Sequence, residues 1–196
     1  MKYVGLDARI GELTGLLDPG PYLDLLPALS TGLPPGARAF ATDRSHYDFT
    51  GRRCVKDLTV HRATFLQEGR ALDLHLRHNC WKHDEDLVIR YAGVTAVRIG
   101  SPNEPSTWDD LGPLILDEIL PHDRGCTHEM AFRPGSVVIT CTDITATWVA
   151  ADCPEGHGDR GRAVRMPGRP RTDAQRAGVP GGGNGRLSHR SDGMPA

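Results

Sequence analysis

No run in this 196-residue chain approaches the roughly eighteen consecutive apolar residues of a membrane-spanning helix. The first residues, MKYVGLDARIGEL, lack the apolar stretch and small-residue cleavage site of a secretory signal. These absences predict a soluble, cytoplasmic protein with no membrane partner. None of the five cysteines (Cys54, Cys80, Cys126, Cys141, Cys153) forms a C-x-x-C, and their number is odd. Both facts argue against a disulfide framework or a zinc ribbon, and a reducing compartment predicts free thiols. There is no G-x-x-x-x-G-K-[ST] and no strand-coupled G-x-G-x-x-G, so nucleotide-phosphate loops are excluded. There is no G-x-S-x-G nucleophile elbow. His128-Glu129 does not open an H-E-x-x-H zinc motif, because the fourth residue after His128 is Phe132. The triple glycine at 181–183 precedes no helical pattern and reads as a linker.

Periodic apolar residues are also missing beyond position 153. Residues 154–196 are rich in Gly, Arg and Pro and are predicted to form a disordered tail. They cannot bury enough apolar surface to offset an ordering entropy of roughly 1–2 kcal/mol per residue. The tail holds eight Arg against four acids, whereas residues 1–153 hold 15 basic and 21 acidic residues. The acidic remainder argues against specific nucleic-acid binding by the folded part.

What is present reads as an α+β chain. Leu6, Ile10, Leu13 and Leu17 fall at helical spacing and predict a helix over 6–17, stopped by Asp18-Pro19-Gly20. Pro21 suits the first turn of a second helix through Tyr22 to Leu26, with Pro27 near its end. Residues 1–53 are thus a helical segment expected to cover a sheet. Pro34-Pro35-Gly36 is a turn, 38–41 a short strand, and 43–53 a polar connection holding His46, Tyr47 and Asp48. Residues 54–153 are predicted as a mainly antiparallel sheet or partly closed barrel. Leu72, Leu74 and Leu76 alternate with Asp73, His75 and Arg77, the pattern of a half-buried strand. Leu87, Ile89 and Tyr91 begin a run to Ile99 that reads as one covered strand, with a bulge at Gly93. Residues 114–120 read as a strand limited by Pro121. The last hairpin turns at 133–136, which sets Phe132 opposite Val137, Met130 opposite Ile139 and His128 opposite Cys141. Ile144, Ala146 and Trp148 continue the apolar pattern.

Two constellations carry chemistry-bearing side chains. One is His78-x-Cys80-x-x-His83, in the turn after the Leu72 strand. The other is His122-x-x-x-Cys126-x-His128, leading into the last hairpin. Imidazole and thiolate are zinc's preferred ligands, so a zinc site built from both clusters is one reading. A thiolate nucleophile at Cys80 or Cys126 is another. No zinc signature or family-specific cysteine motif supports either, so no cofactor and no catalytic residue is assigned. The third feature is Trp81 amid Lys82, His83, Asp84, Glu85 and Asp86. Such a Trp either folds back over the sheet edge, as large aromatics usually do, or stands exposed as a protein-contact anchor with the acids around it. Trp81, His83, Asp84 and Glu85 are therefore the candidate binding residues.

The segments PPGARAFATD, HYDF, CVKDL, RHNCWKHDEDL and LDEILPHDRGCTHE, followed by a strand hairpin, resemble a group of small, uncharacterised β-rich proteins of high-GC actinobacteria. The pattern is also loosely similar to immunity-type proteins, which neutralise toxins by binding them. This second likeness implies a non-enzymatic, protein-binding function and carries over no functional residue. The alternative is a metal-dependent or thiol enzyme using the His/Cys rim.

Overall fold

The computed structural model describes residues 1–10, 13–66, 68, 70–100 and 107–151, all within one compact unit. Cys153 and the tail predicted to be disordered lie outside the described residues. The described chain is mainly β. Strands β1 (Gly5–Ile10) and β2 (Leu13–Asp18) pair antiparallel, followed by helices α1 (Gly20–Leu29) and α2 (Pro35–Ala41). Then come β3 (Thr59–Leu66), β4 (Ala71–Arg77), β5 (Glu85–Ala92), β6 (Ala96–Gly100), β7 (Leu114–His122), β8 (Gly125–Phe132), β9 (Ser136–Cys141) and β10 (Asp143–Ala150). They form two four-stranded antiparallel sheets, ordered β10-β5-β4-β3 and β6-β9-β8-β7. The sheets do not close into the barrel that the sequence allowed.

Alternation explains the core. Leu72, Leu74 and Leu76 of β4 and Leu87, Ile89 and Tyr91 of β5 are at most 1% exposed. They share one apolar cluster with Met130, Val137, Ile139 and Leu116 of the other sheet. Each such side chain contributes about 1.5–3 kcal/mol on burial. Leu76 faces Leu87 across the β4–β5 pair. The register of the last hairpin differs from expectation. In the last hairpin Met130 faces Val137, His128 faces Ile139 and Cys126 faces Cys141. The turn closes two residues earlier than expected, with the Phe132 N–H donating to the Gly135 carbonyl at 2.8 Å. A shift of two keeps every side chain on its face.

The run from Leu87 to Ile99 is two strands in different sheets. Gly93 (φ +57°) turns the corner between β5 and β6, and Thr142 turns the facing corner between β9 and β10. Hydrogen bonds continue through the bend, from Thr142 N to Ala92 O (2.8 Å) and from Thr95 N to Thr140 O (2.9 Å). Thus β5-β6 and β9-β10 make one bent antiparallel ribbon that supplies two strands to each sheet. Elsewhere the sheets meet at Leu58 and Leu114, whose backbones bond at 2.7 Å.

Several N-terminal expectations are corrected. Residues 6–10 and 13–17 lie in paired strands, not in a helix. Gly11 and Gly15 each cost a helix about 1 kcal/mol, and Gly15 takes φ +73°. Pro35 and Gly36, expected in a turn, open α2. Residues 38–41 lie in α2 rather than a strand. Asp143 fixes that helix by accepting the N–H groups of Gly36 (3.1 Å) and Ala37 (2.8 Å). Helix α1 forms as expected, with Pro21 in its first turn and Tyr22 and Leu26 buried one turn apart. Pro121 does not end β7, which runs to His122 along the sheet's edge. A proline is tolerated on an edge strand.

Candidate functional site

The sequence run LILDEIL places Asp117 and Glu118 in a strand that is buried on both faces. Buried carboxylates must find partners. Glu118 accepts the backbone N–H groups of Lys2 (2.9 Å), Tyr3 (2.6 Å) and Val4 (2.9 Å). Asp117 is met by two imidazoles. His46 Nε2 lies 2.8 and 2.9 Å from its two oxygens, and His128 Nε2 lies 2.8 Å from Oδ2. Beyond His128, its Nδ1 meets the Tyr91 hydroxyl of the opposite sheet at 2.8 Å. Beyond His46, its Nδ1 faces the Phe40 carbonyl at 3.1 Å.

The bonding roles follow from the partners. Both His46 nitrogens face acceptors, so its hydrogen bonds are complete only when both nitrogens donate. Burial holds the Tyr91 phenol well above its ordinary pKa, so it remains a donor. His128 then accepts at Nδ1 and donates from Nε2. Burial alone would raise the Asp117 pKa. The charge of His46 and the hydrogen bonds from His128 and His46 prevail and hold it well below the usual carboxylate range. His46, Asp117, Tyr91 and His128 are each at most 1% exposed. The cluster has the groups of an acid–base relay, but they satisfy one another inside the core, where no reactant surface meets them.

The candidates read from the sequence are distributed differently. His78 donates backbone N–H and Nδ1–H to one oxygen of Asp86, at 2.8 and 2.6 Å, and its Nε2 is 3.2 Å from Cys80 Sγ. Cys80 is disulfide-bonded, which corrects the expectation of a free thiol there. Cys54, Cys126 and Cys141 are free and buried. Cys126 and Cys141 lie 3.6 Å apart, sulfur to sulfur. The hydrogen bond with Cys141, together with burial, pushes the Cys126 thiol far up, away from the thiolate form a nucleophile needs. His122 is exposed and accepts the N–H of Arg124 at 3.2 Å. The two His/Cys clusters thus have separate partners. Among the described residues, no group of three or more His, Cys, Asp or Glu side chains is disposed to hold a metal ion.

The loop between β4 and β5 carries Trp81, which is 69% exposed. Its flanks are pinned. His83 is fully buried, accepts the Asn79 N–H at Nδ1 (3.1 Å) and donates from Nε2 to the Cys54 carbonyl (2.9 Å). Burial lowers its pKa, and the hydrogen bond to Cys54 only partly offsets this. His83 therefore braces the loop from within and offers no contact surface. Lys82 reaches back to the Lys56 carbonyl (3.1 Å) and to Asp57 (3.3 Å). Asp84 pairs with Arg52, and Glu85 takes a two-pronged bond from Arg53 at 2.5 and 2.9 Å. The acids of this charged loop are thus paired with basic side chains.

His46 and Asp117 were not among the residues singled out from the sequence. The available signal was two acids inside an apolar strand. His46, the partner of Asp117, lies 71 residues away in a connection whose path the sequence does not fix.

No protein-family model matches the chain, and no curated protein matches it. Among solved structures it is similar to an uncharacterised protein from Neisseria gonorrhoeae, at 12% identity and a TM-score of 0.34. That match covers 46% of this chain and 90% of the other.

Proposed function

We propose that this protein is a non-enzymatic, protein-binding module of the immunity type, with Trp81 at the centre of its contact surface. The observation that carries this reading is the 69% exposure of a tryptophan whose flanking residues are held from both sides. A large aromatic on a braced loop loses little entropy on binding. The paired charges Arg52–Asp84 and Arg53–Glu85 give it a polar border. Such exposed pairs add little to stability, about 0–1 kcal/mol each, and they remain available to reorient toward a partner. A metal-dependent or thiol enzyme would instead need the His/Cys side chains gathered at a cleft, and their separate partners lend that alternative no support.

The test is Trp81→Ala in the full chain. Proteins retained by immobilised wild type should be lost from the variant, while Tm moves by less than about 2 °C. A drop of many degrees would assign Trp81 to the fold. Unchanged retention would remove it from the contact surface.

A further inference from the structure

Arg133, Lys56 and Asp57 meet in a cleft of about 200 Å³ whose other walls are Leu17, Pro113, Leu114 and Ile115. Asp57 adopts φ +75°, a left-handed backbone that side-chain-bearing residues rarely take, though Asp and Asn tolerate it best. Its N–H donates to the Leu114 carbonyl at 2.8 Å, which fixes the turn against β7. Its carboxylate lies between two ammonium groups, 2.6 Å from Lys56 Nζ and 3.3 Å from Lys82 Nζ. The Lys82 side chain is only 6% exposed. Arg133 is exposed, and its guanidinium makes no hydrogen bond or ion pair among the described residues. The cleft lining thus carries two cations, Lys56 and Arg133, against one anion, with Lys82 pairing Asp57 from outside the lining, in a folded part that is otherwise acidic.

We infer that this cleft binds a small carboxylate with a short aliphatic body. The lining's two cations against one anion, with Lys82 already helping to neutralise Asp57, select an anion. The guanidinium offers the planar donor pair that matches a carboxylate, and Lys56 offers a second cation. The apolar walls add a contact that inorganic phosphate cannot exploit, because phosphate has no apolar surface to bury. The volume lies below the roughly 300–1,000 Å³ of pockets for drug-sized ligands, so the ligand is small. Asp57 is the internal competitor, occupying with its own carboxylate the ammonium group that the ligand would share. The inference does not rest on the binding role proposed for Trp81.

The experiment titrates the full chain at low salt with isobutyrate, with uncharged isobutyramide and with inorganic phosphate, following amide shifts and heat. Isobutyrate should saturate at one per chain, and isobutyramide should bind at least about tenfold more weakly. Arg133→Gln should weaken isobutyrate by about tenfold with Tm unchanged, since the side chain supports nothing in the fold. Lys56→Gln should weaken it as well. Asp57→Asn, which keeps a residue tolerant of the left-handed backbone, should tighten it. Failure of isobutyrate to saturate overturns the proposal. So does equal binding of isobutyramide, indifference to both Arg133→Gln and Lys56→Gln, or saturation by phosphate while isobutyrate stays silent.

Discussion

Asp117 and His128 stand diagonally across the β7–β8 ladder, with Oδ2 and Nε2 2.8 Å apart and neither side chain more than 1% exposed. Asp117→Ala would leave His46 facing a void with its charge unmatched. Breaking a buried ion pair by removing one partner costs about 3–5 kcal/mol. Urea unfolding should show a loss of that order, and His46→Ala should show a smaller loss on the Asp117→Ala background than on wild type, because the two act through one contact. A loss below about 1 kcal/mol for Asp117→Ala would show that the cluster is not needed to hold the sheets together.

Acid should loosen the Trp81 loop before it unfolds the core. Burial depresses the pKa of His83, so the folded chain binds fewer protons there than the unfolded chain does. Its contribution is fully present above the ordinary imidazole value of about 6.5 and is lost as pH falls through the lower folded value. Asp117 is also depressed, so its contribution persists until pH falls below the ordinary carboxylate value of about 3.9. Protection of the residue 78–86 amides, measured against their intrinsic exchange rates, should therefore fall as pH drops below about 6.5 while the β7–β8 amides stay protected. Simultaneous loss of both would contradict this order.

Tyr22→Phe should destabilise the chain without repacking it. The hydroxyl donates to the Ile119 carbonyl at 2.9 Å and accepts its N–H at 3.2 Å. It thereby covers two backbone groups that an edge strand leaves open. Losing both bonds in a buried site should cost about 1–3 kcal/mol, read as a lower urea midpoint at unchanged slope. No change would mean that water replaces the hydroxyl.

Much of this fold is legible in the sequence because alternation survives local error. Leu72, Leu74, Leu76, Leu87, Ile89 and Tyr91 were assigned to the core from period alone, and all are buried. The β8–β9 register lies two residues from the one the hairpin pattern predicts, yet Met130, Ile139 and Cys141 keep their faces. What the sequence hid is of another kind. Leu6, Ile10, Leu13 and Leu17 satisfy helical spacing yet lie in paired strands, and only the segment's glycines argue otherwise. The corner at Gly93 reads as a bulge, since nothing local says that the chain leaves one sheet for the other. The buried cluster joins positions 46, 91, 117 and 128, and long-range convergence leaves no spacing to read. The exposure of Trp81 depends on bonds that His83 and Lys82 make to residues 54–57.

The bent ribbon has a consequence for the order in which the chain is made. Glu85 pairs with Ala150 and Ala96 with Thr140, so strands synthesised early wait for strands synthesised late. A ribosome that has just delivered residue 132 has produced β3 to β8, yet β6 still has no neighbour, because its partner is β9. Strand β5 likewise keeps an open edge until β10 emerges. Neither sheet can be finished on its own during translation, and both close with the arrival of residues 136–150. Pairings so distant in sequence make for slow folding and leave apolar edges exposed in the nascent chain.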